Sequence, residues 1–345
     1  MTARLFGELD GEPVYEVTIR SDNGTEAKVI TWGAVIRDLI ARAGGKARRV
    51  VLGLETLDDY VRHSPYFGAI AGRYANRIAH GRFRFGEKMY QLTRNWKGEH
   101  SLHGGARGFG KRPWQLAGYD ASSVTLTLFS PDGDEGYPGD LTATCTYRLV
   151  GSTLCVELTA AADAATPVNL AQHSHFNLDQ SPSILDHTLQ LAADFYTPTD
   201  ADLIPTGEIR AVAGTPYDFR EVCPLRMTDP ATAGPFHYDI NFVLRRDRLT
   251  PSRREDVSLA HAATLASRAS GVSLEVWTDQ PGLQVYDGWM TNVPVAGFDG
   301  ARYGASSGIC LEAQVFPDGP NRPHFPDAIL RPGRTYRQVT EYRFS

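Results

Sequence analysis

The stretch Leu141-Thr142-Ala143-Thr144-Cys145-Thr146-Tyr147-Arg148-Leu149-Val150-Gly151-Ser152-Thr153-Leu154-Cys155-Val156-Glu157-Leu158-Thr159-Ala160 decides the fold class. Apolar and polar residues alternate on both sides of Val150-Gly151-Ser152-Thr153, and many are β-branched, so the segment reads as two strands joined by a short turn. The pattern spreads outward. Residues 124–128 give a further strand, and Thr335–Phe344 sets Tyr336, Tyr342 and Phe344 against Arg337, Glu341 and Arg343, as in a strand with one wet face. Residues 14–20 alternate in the same way before the turn Ser21-Asp22-Asn23-Gly24, and Ser273–Thr278 does so after Gly271.

Helical signals are few. Residues 55–63 suit two turns of helix, whereas the Ala-rich stretch 252–270 keeps no clear 3.6-residue spacing and is not read as one. With 33 Gly and 21 Pro spread through many short turns, the expected fold is all-β, a large antiparallel sandwich with few short helices. No repeat or low-complexity linker divides the chain, so residues 1–345 are expected to form a single domain, a length that one large β unit can use.

Composition narrows the function. A formal charge of −5, with acidic and basic residues intermixed, offers no cationic stripe for nucleic acid or anionic lipid. Cys145, Cys155, Cys223 and Cys310 show no CxxC spacing and are too sparse for a disulfide framework, so they are expected to be reduced packing residues. Residues 1–8 lack an apolar signal region and no stretch approaches a bilayer span, which makes the cytoplasm the expected location, with a neutral small molecule as partner and no membrane. A monomer or weak homodimer is expected.

Five polar clusters stand among apolar neighbours: residues 72–78, 100–105, 169–178, 238–242 and 310–314. In an extended strand Asn169, Ala171, His173 and His175 would share one face. That face suits a metal site completed by His103 or Glu312, or a proton donor, or a pair of satisfied structural histidines. Glu312, in a short apolar run, is costly to bury unpaired; it either pairs with an arginine such as Arg77 or serves in chemistry. Asp239 reads equally as a strand-entry residue. His103 precedes Gly104-Gly105, which suits either a tight turn or close approach of backbone to ligand. Phosphate-binding loops and a GxSxG elbow are absent from the sequence.

In their order along the chain, several stretches resemble the aldose 1-epimerase, or galactose mutarotase, family. They are Gly72-Arg73-Tyr74-Ala75-Asn76-Arg77-Ile78, Ser101-Leu102-His103-Gly104-Gly105, the run from Ser130-Pro131-Asp132-Gly133 through Tyr137-Pro138-Gly139, Pro167-Val168-Asn169-Leu170, Ile204-Pro205-Thr206-Gly207-Glu208, Gln280-Pro281-Gly282-Leu283-Gln284 and Leu311-Glu312-Ala313-Gln314. The resemblance implies a β-supersandwich with an open sugar-binding face, and an enzyme that interconverts the α and β anomers of a free aldose such as galactose or glucose. It further implies His173 as general acid, Glu312 as general base, and Asn76, Arg77, His103, Asp239 and Gln284 as groups that hold sugar hydroxyls. No metal and no cofactor are implied. The family pattern Asn-His-Ser-Tyr-Phe-Asn is replaced here by Gln172-His173-Ser174-His175-Phe176-Asn177, so Gln172 and His175 imply an altered pocket polarity or substrate preference. The competing expectations are a non-catalytic sugar-binding module, a hexose-6-phosphate 1-epimerase, and a metal-dependent isomerase or lyase built on His173, His175 and Glu312. No run of Arg or Lys accompanies the motifs to clamp a phosphate, which favours an unphosphorylated sugar.

Overall fold

The computed structural model describes residues 3–229, 231–253 and 256–345. Its strands form antiparallel sheets, of which three position the rest: a ten-stranded sheet, a six-stranded sheet and a five-stranded sheet near the N-terminus. The hairpin Leu141–Val150 and Thr153–Ala162 runs in unbroken register from Leu141 opposite Ala162 to Val150 opposite Thr153, with Gly151 at φ 52° in the turn. Leu141, Ala143, Cys145, Tyr147 and Leu149 are buried while Thr142 and Val150 are exposed, so the alternation in the sequence is the alternation of faces. Thr335–Phe344 pairs with this hairpin on one side and with Ser273–Thr278 on the other.

The one α-helix among the described residues is Leu57–His63. Thr56 caps it by accepting a 3.1 Å hydrogen bond at Oγ1 from the Asp59 N–H. Acidic Asp58 and Asp59 in the first turn and basic Arg62 and His63 in the last complement its dipole. The Ala-rich stretch holds the strand Ser258–Ala266, and a bulge between His261 and Ala263 explains its blurred period. One extra residue switches which side chains face the core, so neither a two-residue nor a 3.6-residue pattern survives.

The large sheet packs across both of the others, as expected of a sandwich. One continuous apolar cluster joins Leu126, Tyr147 and Tyr342 of the large sheet to Val17 and Val29 of the N-terminal sheet and to Ile240, Phe242, Leu283 and Leu311 of the six-stranded sheet. Hydrogen bonds cross the layers too: Tyr147 donates to the Ala34 carbonyl at 2.7 Å, Tyr342 to that of Leu311 at 3.1 Å, and Gln338 to that of Ala313 at 2.8 Å. Buried tyrosine and amide groups find partners in this way, and each one fixes the offset of one layer on the next.

Candidate active site

The six-stranded sheet runs in the order His175–Phe176, Ile309–Gln314, Gly282–Tyr286, Asp239–Leu244, Ala193–Thr197, Arg210–Ala211. Its inner face carries Ile240, Phe242, Leu283, Val285, Leu311 and Ala313 into the core. Strand alternation then places Asp239, Asn241, Gln284, Tyr286, Cys310, Glu312 and Gln314 together on the other face. Register aligns them: Asn241 stands opposite Gln284 and Gln284 opposite Glu312, while Asp239 stands opposite Tyr286 and Tyr286 opposite Cys310. A one-residue slip would exchange the polar row for the core row, so the burial of one face sets the site.

Loops supply the rest. Arg77 pairs with Leu102 and Ile78 with Ser101, which ties the segments 72–78 and 101–105 side by side. Asn76 at φ 64° and His103 at φ 51° adopt the left-handed conformation that Asn and His enter more readily than most residues. The Asn76 N–H donates to His103 Nδ1 at 3.1 Å. That bond makes Nδ1 the acceptor of a neutral imidazole and leaves Nε2–H as a donor. Of the two readings of the double glycine, the tight turn is the one seen. A Cβ on Gly104 would sit 1.9 Å from the Gly72 carbonyl oxygen, and one on Gly105 would sit 2.1 Å from a Glu135 carboxylate oxygen.

These elements enclose a cleft of about 210 Å³ that touches Asn76, Arg77, His103, His173, Asp239 and Glu312. Gln284, the remaining expected residue, stands behind them and donates from Nε2 to Asp239 Oδ1 at 2.6 Å. His173 Nε2 lies 3.6 Å from Glu312 Oε1 at the base of the cleft. Glu312 Oε2 has no hydrogen-bond partner although the side chain is buried. Arg77 does not pair with Glu312; its Nη2 reaches Asp239 Oδ2 at 3.2 Å, and its guanidinium lies 4.5 Å from the centroid of the Trp96 ring. Of the alternatives open for Glu312, the unpaired carboxylate in a cleft is the one observed.

Burial governs the ionisation of these groups. It lowers His173 to about 4 against a weaker opposite pull from Asp239, and it holds His103 well below its ordinary value, with the neighbouring His173 adding to the effect. Burial raises Glu312 well above the ordinary carboxylate range, and the negative charge of Asp239 raises it further while Arg77 opposes. Each group of the facing pair therefore disfavours its own charge.

The strand expected to carry Asn169, Ala171, His173 and His175 on one face is broken. Ala171–Gln172 pairs with Ile70–Ala71, His175–Phe176 pairs with Ile309 and Cys310, and the His173 backbone between them bonds to Ala69 and Gly68. Asn169 is structural, with Oδ1 accepting from Val315 N–H and Nδ2 donating to the Ala75 carbonyl. Gln172 lies off the cleft, where its amide bonds the Gly68 carbonyl, Ser174 Oγ and the Ser174 N–H. His175 also lies outside the cleft lining, its ring stacked behind that of His173 with centroids 5.2 Å apart. The third group that comes within ligand distance of both histidines is Cys310, rather than His103 or Glu312. Arg73 is structural as well: its guanidinium bonds the carbonyls of Pro138, Gly139 and Ser130, which accounts for the glycine- and proline-rich run beginning at Ser130.

Sequence reading missed the apolar walls. Tyr66, Trp96, Tyr286 and Met290 line the cleft. Tyr66 packs on the rings of His103 and His173, with centroids 4.7 and 5.8 Å away. Tyr286 was detectable, since it shares strand parity with Gln284; Trp96 and Tyr66 sit in loops with no periodicity to mark them.

The family model for aldose 1-epimerase matches residues 15–343. Galactose mutarotase of Mus musculus is 43% identical over 352 residues, covering 100% of this chain and 98% of that protein. Aldose 1-epimerase of Escherichia coli is 35% identical over 344 residues, covering 97% and 96%. Among solved structures, the GalM/aldose epimerase homologue from C. elegans superimposes with a TM-score of 0.88 at 31% identity, covering 96% of this chain and 98% of that one. The polar face, the facing histidine and glutamate, and these full-length matches agree, and the chain belongs to the aldose 1-epimerase family.

Proposed function

We propose that this protein is an isomerase that interconverts the α and β anomers of a free aldose such as galactose or glucose, with His173 as general acid and Glu312 as general base. The observation that carries the reading is the pair itself: a buried carboxylate with an unpartnered oxygen, 3.6 Å from an imidazole nitrogen, at the base of a cleft of sugar size. Removing the O1 proton while protonating the ring oxygen opens the C1–O5 bond to the aldehyde. Rotation about C1–C2 and reclosure, with the two roles reversed, gives the other anomer. The acting form carries one proton on His173 with Glu312 ionised, a form that burial disfavours; once Glu312 has taken the proton from O1 and His173 has given its own to the ring oxygen, the pair again holds one proton.

The remaining groups fit hydroxyl binding. His103 offers Nε2–H, Asp239 offers carboxylate oxygens, and Arg77 offers N–H groups, while Gln284 orients Asp239. Asn76 accepts from the Arg77 N–H at Oδ1, which leaves its NH₂ as a donor. Tyr66, Trp96 and Tyr286 supply apolar walls that shield the pair from water. Residues 1–345 are read as one functional unit, which the matched span 15–343 supports. A monomer or weak homodimer is the proposed assembly. The buried free thiols of Cys145, Cys155 and Cys310 support a cytoplasmic setting. No helix among the described residues is long and apolar enough to cross a membrane.

Glu312→Gln and His173→Asn test the roles. Each is expected to lower kcat by roughly 10²- to 10⁴-fold with the fold retained, since that is the scale of one positioned acid or base. Near-normal turnover in either variant, measured by polarimetry, would remove that residue from the mechanism.

A further inference from the structure

A cluster of nitrogen and sulfur ligands lies directly behind the acid–base pair. One nitrogen of His173, one of His175 and Sγ of Cys310 lie within 4.8 Å of one another, all on buried side chains. The ladder builds this arrangement, because His175 stands opposite Cys310 and the rings of His173 and His175 stack. Cys310 Sγ is 3.5 Å from His173 Nδ1. Both ring nitrogens of His175 are buried without a hydrogen-bond partner, and the side chain has no exposure. Two unmet polar atoms in an apolar setting are unfavourable unless something binds them, and hydroxyl binding and proton transfer in the cleft make no use of them.

We propose that His173, His175 and Cys310 form an inhibitory site for a borderline-soft cation of the Zn²⁺ class, which enters through the cleft and withdraws His173 from catalysis. Imidazole and thiolate are the ligands such ions prefer. Zn–N near 2.0 Å and Zn–S near 2.3 Å in a tetrahedron put donor atoms roughly 3.5 Å apart, so the three groups need close by only about 1 Å from their widest spacing. On binding, the Cys310 proton leaves to solvent, a metal–sulfur bond forms, and each imidazole donates one lone pair; no electron is transferred. With Nδ1 of His173 on the metal, the ring cannot become an imidazolium, and its Nε2–H is a far weaker acid. The inhibitory half rests on His173 being the acid, whereas the binding half stands on geometry alone.

The test titrates the intact protein with Co²⁺ alone and with Zn²⁺ alone, following thiolate-to-metal absorption for Co²⁺ and mutarotation for both. The expected result is one ion per chain at the thiolate and activity that falls in proportion to occupancy and returns with a chelator. The thiolate band should be missing in Cys310→Ala. His175→Phe should bind at least about 10-fold more weakly, with metal-free mutarotation close to that of the unaltered chain; if this variant does not fold, Cys310→Ala carries the binding test. Ion uptake without a thiolate band would place the ion elsewhere, for instance at Glu99, His100 and Asp202, and overturn the proposal. Binding at the thiolate without inhibition would overturn its inhibitory half. Failure of the acid assignment would show separately, as metal-free activity that survives His173→Asn.

Discussion

Glu312 is expensive to keep where it is. Its folded-state proton affinity is raised, so the penalty is present at pH values above the ordinary carboxylate range, where the unfolded chain would carry the charge freely. Glu312→Gln removes that charge without changing shape, and its thermal midpoint at pH 7 is expected to equal or exceed that of the unaltered protein while activity falls; a clear loss of stability would mean the carboxylate is paired after all. The same shifts set the pH profile. His173 is lowered to about 4, so the pair takes up its second proton only in acid, and kcat/KM should fall through that region. At the other end burial and the charge of Asp239 raise Glu312, so its limb of the profile should lie above the ordinary carboxylate value. An acid limb centred near the ordinary histidine value would contradict this assignment. Asp239 behaves oppositely to Glu312, since Asp239→Ala leaves Arg77 buried without its ion pair. It should raise KM and also cost about 3–5 kcal/mol of stability in denaturant unfolding, the usual consequence of breaking a buried pair from one side.

At the scale of elements, the site depends on two devices: strand parity in the six-stranded sheet and the turn at Gly104. Gly104→Ala would force a Cβ into the Gly72 carbonyl at a backbone of φ 86°. The left-handed strain alone is worth about 1–3 kcal/mol, and the displaced turn carries His103, so lower stability and higher KM should appear together. Parity was legible in the sequence, because Asp239, Gln284 and Glu312 each stand among alternating apolar residues that had to face a core. The hairpin at 141–160 and the final strand were legible for the same reason. The stretch 169–178 was less so, since its backbone bonds alternate between two sheets and its faces do not run on. Cys310 as the neighbour of both histidines followed from long-range pairing that no local pattern announces.

At the scale of the molecule, the large sheet supplies one apolar surface on which the other sheets are offset, and this leaves the polar face of the six-stranded sheet to be roofed by loops that bring Tyr66, Trp96 and His103. The charge of that cleft bears on the substrate. Among the described residues Arg77 is the one lysine or arginine lining it, and it is already paired with Asp239. A sugar 6-phosphate should therefore show much lower kcat/KM than the free sugar, and equal turnover of both in a coupled assay would reopen the phosphosugar reading. The measurement that bears most directly on the central claim is polarimetry of freshly dissolved α-D-galactose and α-D-glucose with the purified protein, with and without a chelator. The expected result is accelerated approach to the equilibrium rotation that the chelator leaves unchanged or increases; no acceleration on any free aldose, or acceleration abolished by the chelator, would contradict metal-free acid–base mutarotation.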